Sequence, residues 1–124
     1  MAARIPSFAL AACLALAASA PAPAPAAELA LLMIRQDGCG YCLQWDREIG
    51  AVYPKTGEGR TAPLRETDFR GPLPEGVSLE RPAAFTPTFI LLADGAEIGR
   101  MEGYPGEAFF WGLLGKMIAE TGHE

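Results

Sequence analysis

Cys39-Gly40-Tyr41-Cys42 stands where an apolar run, residues 29–34, gives way to a helix-like pattern from Leu43 onward. Two thiols one helical turn apart at a helix start can close a short disulfide and reopen it. The helix N-terminus offers partial positive charge and free N–H groups, which favour a thiolate on Cys39. Cys42, one turn further in, is placed to resolve a mixed disulfide formed at Cys39. The pattern predicts a thiol–disulfide exchange centre. So small a ring removes little unfolded-chain entropy, which argues against a purely structural bridge. The competing reading is a copper module, because paired thiolates suit Cu(I), but such a site wants a third ligand. His123 is the only histidine and lies at the extreme C-terminus, while Met33, Met101 and Met117 occupy core-type positions. No metal site is therefore expected.

Outward from the motif, residues 29–35 are short, continuous and apolar, as in a strand buried on both faces. Gln36-Asp37-Gly38 is a turn, and a helix is expected from about Gly40 to Tyr53. Cys42, Trp45, Ile49 and Val52 mark its buried face, with Trp45 a core anchor beside the second thiol. Asp46, Arg47 and Glu48 form the solvated side. Pro54 should end the helix, and 55–61 reads as a Gly-rich loop. Residues 62–69 can form a second strand that starts late or lies at an edge, because of Pro63. The connection 71–84 is rich in proline, with room for a short helix at 74–79. Residues 88–93 and 96–101 should pair through an Asp94-Gly95 hairpin. A last helix is expected near Pro105, with Phe109, Phe110, Leu113, Leu114, Met117 and Ile118 as its apolar stripe and Gly122 as its stop.

The first 27 residues read as a secretory signal peptide, removed after Ala26 or Ala27. Arg4 supplies the basic end, Phe8 to Ala18 the apolar stretch, and small residues the cleavage site. Leu10-Ala11-Ala12-Cys13 resembles a lipidation signal, but the apolar run continues past Cys13, so a cysteine lost with the leader is expected. Residues 28–124 then form one small domain, expected in the periplasm. Arg4 is the only charged residue of the leader, so these 97 residues keep 9 basic and 15 acidic side chains, a net charge of −6. That balance argues against nucleic acid or an anionic membrane as partner.

The strand before Cys39-Gly40-Tyr41-Cys42, the later Thr86-Pro87-Thr88, the Asp94-Gly95 hairpin and Gly103 before the last helix together resemble the thioredoxin-fold family. The resemblance spans essentially all of residues 28–124. It implies an α/β fold of minimal thioredoxin type, β-α-β-α-β-β-α, with a central four-stranded mixed sheet. It also implies a Cys39–Cys42 disulfide cycle, with Cys39 the attacking sulfur and Cys42 the resolver. Pro87 would be cis and would pack on the disulfide; Thr86 would offer its backbone to an extended substrate. Gly103 would keep the groove open and Tyr104 would line it, so the substrate meets Gly40, Tyr41, Thr86, Pro87, Gly103 and Tyr104. A carboxylate at Asp37 would raise the Cys39 pKa unless it points away or caps the helix.

The chain departs from thioredoxin itself at two places. Gly38 replaces a tryptophan before the first cysteine, and Met33 replaces a buried aspartate that serves the resolver, with Glu66 a weak candidate substitute. The Gly-Tyr dipeptide and Thr86 instead resemble the isomerase DsbC, which carries a dimerisation domain where only a leader is expected here. The run from Gly99 to Glu107, followed by Phe109-Phe110-Trp111, resembles the SoxS group of exported thioredoxin-like proteins in bacterial sulfur-oxidation systems. That resemblance implies a monomeric reductase keeping a partner protein's cysteine reduced, a sulfur-carrier protein in that group. Its electrons would come from a membrane thiol carrier of the DsbD or CcdA kind. No nucleotide fingerprint is apparent and no cofactor is expected. The alternative is a DsbC-like isomerase or oxidant.

Overall fold

The computed structural model describes residues 1–7 and 15–123. The apolar stretch expected at 8–18 falls mostly outside them, and Cys13 wholly so. Among the described residues, no helix is long and apolar enough to cross a membrane. Regular structure begins at β1, Leu29–Arg35, whose alternate side chains enter two different cores. β2 (Leu64–Asp68) runs parallel to it on one side, and β3 (Thr88–Ala93) antiparallel on the other. β4 (Ala96–Glu102) completes a sheet ordered β2-β1-β3-β4. As Pro63 suggested, β2 starts late and is an edge. Asp94 and Gly95 both have positive φ, the geometry that a two-residue hairpin between right-twisted strands requires.

One core lies between the sheet and its helices. Leu31, Met33, Phe89 and Leu91 meet Trp45, Ile49, Phe110 and Leu114 there. The first helix departs from its expected course. α1 (Gly40–Trp45) passes into a wider π turn, Asp46–Gly50, and then a tight turn, Tyr53–Lys55, that includes Pro54. The wider turn delays the inward face by a residue. Tyr53 is therefore fully buried where Val52 was expected, and Val52 is 46% exposed. The supposed loop at 55–61 contains a further helix, α2 (Gly57–Thr61), capped by Thr56, whose hydroxyl accepts the Gly59 N–H at 3.0 Å. Its sequence signal, a threonine two residues before Glu58, is too short to stand out among glycines.

The helix expected at 74–79 does not form. The connection from β2 to β3 instead runs irregularly over the other sheet face, where Phe69, Val77, Leu79 and Ala83 cover Leu32, Ile34, Ile90 and Leu92. Proline leaves such a segment few backbone donors for a helix, and Ser78 pairs with the start of β4 instead. An ion pair staples this cover: Arg100 binds Glu97 at 2.6 Å, both side chains buried, and donates to the Arg81 carbonyl at 2.8 Å. The last helix, α3 (Glu107–Ala119), starts two residues after Pro105, behind Gly106 at φ +100. Its stripe is narrower than expected. Phe110, Leu114 and Ile118 are buried, whereas Phe109 is 68% exposed and Leu113 is also outside the core.

Candidate active site

The end of β1 delivers the motif. Gln36-Asp37-Gly38 turns the chain, with Gly38 at φ +75, and the Cys39 N–H donates to the Gln36 carbonyl at 3.3 Å. Cys39 is itself the helix N-cap: its sulfur accepts the Cys42 N–H at 3.1 Å. Asp37 is exposed and does not cap the helix. A disulfide joins Cys39 and Cys42, whose Cα atoms are 5.2 Å apart. Cys39 is 9% exposed and Cys42 1%, so an incoming sulfur finds Cys39 first. Gly40 is exposed beside it, and Tyr41 projects 62% exposed, away from the core.

The approach to β3 carries the other residues expected at the site. The Thr86–Pro87 peptide bond is cis. Thr88 Oγ1 donates to the Phe85 carbonyl at 2.7 Å, and the Gly103 N–H donates to the Pro87 carbonyl at 2.7 Å. Gly103 has φ +81, where a side chain would be strained, and a Cβ there would meet open space. Gln36, which sequence reasoning passed over, donates its side-chain amide to Thr86 Oγ1 at 2.8 Å. Tyr104 does not line an open groove. It is buried against Phe110, and its hydroxyl donates to Glu48 at 2.8 Å.

With this geometry, the chain superposes on the crystal structure of the periplasmic thioredoxin SoxS from Paracoccus pantotrophus, reduced form, with a TM-score of 0.73. The two are 55% identical over 75% of this chain and 98% of that one. The chain belongs to the thioredoxin family. It is a thiol–disulfide oxidoreductase built around its Cys-x-x-Cys disulfide. Thioredoxin from Fasciola hepatica, 21% identical with a TM-score of 0.53 over 73% of this chain and 82% of that one, shares the fold. No family model matches the chain, and no curated protein does either.

The place of the aspartate that thioredoxin keeps is filled in this thioredoxin by Met33, fully buried in the same core as both cysteines. Glu66 stands directly opposite Met33 in the β1–β2 register, but its carboxylate is engaged by Arg35 at 3.1 Å. Arg35 also grips Asp46 with two nitrogens, at 2.9 and 2.7 Å, holding that carboxyl below the usual range. The pair ties the far end of α1 to β1. Neither Arg35 nor Asp46 carried a sequence signal, because each alone looks like a solvated charge. Among the described residues, no three His, Cys, Asp or Glu side chains gather into a metal-sized cluster.

Glu48 ties the same helix to the turn after β4. Gln44 donates to one oxygen at 2.8 Å, and Tyr104 to the other. These donors, Gln44 foremost, hold the Glu48 carboxyl below the usual range, while burial and then Glu48 itself raise the Tyr104 phenol. A depressed carboxylate contributes its stability fully above the ordinary value, about pH 4.3. The contribution is lost as pH falls through the folded value. Glu48→Gln should therefore lower the Tm at neutral pH by an amount that shrinks below about pH 4. Melting curves between neutral and acid pH check this; a constant difference would show that the charge is not what was lost.

Proposed function

We propose that this thioredoxin is an exported reductase that keeps the cysteine of a partner protein reduced. The observation that carries the reading is the 55% identity to a protein described as a periplasmic thioredoxin, combined with a disulfide whose first cysteine is the more exposed of the two. In this reading residues 1–27 are a cleaved signal peptide, and residues 28–124 work in the periplasm as a monomer. The reduced Cys39 thiolate attacks the partner's disulfide and forms a mixed disulfide; the Cys42 thiolate then attacks Cys39 and releases the partner's thiol. Two electrons pass to the partner, and the Cys39–Cys42 bond closes. Position favours Cys39 as the thiolate, since it stands at the helix N-terminus with the Cys42 N–H donating to its sulfur. Thr86 and Pro87 hold the partner's extended segment, with Gly40, Tyr41 and Gly103 around it. Tyr104 acts from below, fixing the turn that carries Gly103. A membrane thiol carrier of the DsbD or CcdA kind resets the pair, and a sulfur-carrier protein is the proposed partner.

The Gly40-Tyr41 dipeptide supports a second reading, an isomerase or oxidant. The reduction potential separates the two. Equilibration of the Cys39–Cys42 pair against glutathione or dithiothreitol should give about −250 mV or lower for a reductant. A value above roughly −180 mV would place the protein with oxidants and isomerases and end the reductase reading.

A further inference from the structure

Backbone pairing between β1 and β3 stops at Ile34 and Thr88. The residue before Thr88 is Pro87, which has no N–H to give, so the ladder cannot continue toward the disulfide. Two residues further along the same register, Gln36 stands opposite Thr86. A side chain takes over there, as Gln36 Nε2 donates to Thr86 Oγ1 at 2.8 Å. The Gln36 carbonyl also accepts the Cys39 N–H at 3.3 Å. One residue thus holds the backbone of the first cysteine and the side chain that precedes the cis proline. The other hydrogen bonds on this loop do not reach the cysteines. Thr88 closes on Phe85 within the loop, and Gly103 holds Pro87 from the β4 side.

We infer that Gln36 is a positioning residue for thiol–disulfide exchange, setting the Thr86–Pro87 platform at a working distance from the Cys39 sulfur. The inference rests on the proposed roles of Cys39 as attacking sulfur and Thr86 as docking position. Exchange needs three sulfurs nearly in line, and a docked peptide brings its sulfur wherever Thr86 stands. Small errors in such a geometry cost rate steeply. The Gln36 amide is neutral, so its loss should leave the reactivity of the thiolate itself little changed. Slowing should therefore appear with substrates that dock and not with those that merely collide.

Two probes with the same leaving group make that distinction. One is a short extended peptide whose cysteine is disulfide-bonded to thionitrobenzoate; the other is Ellman's reagent, which has no peptide. In both reactions the Cys39 thiolate forms a disulfide with one sulfur and thionitrobenzoate leaves as the thiolate, giving the readout. Gln36→Met, which keeps the length and removes the donor, should slow the peptide reaction about tenfold and Ellman's reagent less than about twofold. Thr86→Val should also slow the peptide reaction, and with the peptide the double variant should be no slower than the slower single one. Gln36→Leu, run alongside, covers a folding failure of the first variant. Equal slowing with both probes, additive losses in the double variant, or no slowing would overturn the inference. The assay follows one exchange step whichever way electrons flow in the cell. Failure of the reductase reading shows in the potential, and failure of the Cys39 assignment in serine variants of the two cysteines.

Discussion

Cys42→Ser is expected to accumulate a covalent complex with the physiological partner, while Cys39→Ser accumulates none. Both variants should lose turnover to the background rate. The asymmetry follows from burial and from the order of events. Cys39 caps the helix and is the more exposed of the two, whereas Cys42 is enclosed one turn below. Without the Cys42 sulfur, a mixed disulfide at Cys39 has no internal thiolate to release it. Without the Cys39 sulfur, the remaining thiol is buried and meets no partner. Non-reducing electrophoresis of each variant after exposure to periplasmic proteins reads the result, with dithiothreitol releasing the trapped species. Trapping by both variants, or by neither, would sink the assigned roles.

Phe110→Ala should cost about 3–5 kcal/mol. Phe110 is fully buried at the centre of an aromatic cluster. Its ring lies 5.0 Å from Phe89, 5.2 Å from Trp111, 5.9 Å from Trp45 and 6.3 Å from Tyr104, centroid to centroid. Those neighbours come from α1, β3, α3 itself and the turn after β4. A cavity at this point cannot be closed by one side chain, because the surrounding rings are each held by other contacts. A small domain has only about 5–15 kcal/mol of stability in total, so the variant should unfold at a much lower denaturant concentration. Phe109→Ala is the internal comparison: Phe109 is 68% exposed, and its truncation should shift stability by no more than about 0.5 kcal/mol. Equal losses for the two variants would contradict the observed packing of α3.

What the sequence by itself determined is local and periodic. The paired cysteines at the end of an apolar strand, the Asp-Gly hairpin and the late start of β2 at Pro63 each depend on a few adjacent residues. Their geometry follows from backbone sterics, so the succession of strands along the chain and the place of the disulfide were legible from the chain alone, whereas the four-stranded sheet came from the family resemblance. Tyr53 displaced Val52 from the core because a π turn changed the helical period partway along, which no fixed period anticipates. Residues 74–79 had helical room, yet their backbone found β4 and their side chains found an uncovered sheet face. Phe109 and Phe110 are equally apolar, and only the direction in which α3 lies on the sheet made one core and the other surface. The site's supporting bonds were likewise invisible: Gln36 meets Thr86 across 50 residues of sequence, and Glu48 meets Tyr104 across 56. Such pairs carry no periodic signal, since each member is an ordinary polar residue until the sheet brings its partner within 3 Å. Tertiary structure therefore decided how the residues of the site are held together, because hydrogen bonds depend on distance in space and sequence patterns report only distance along the chain.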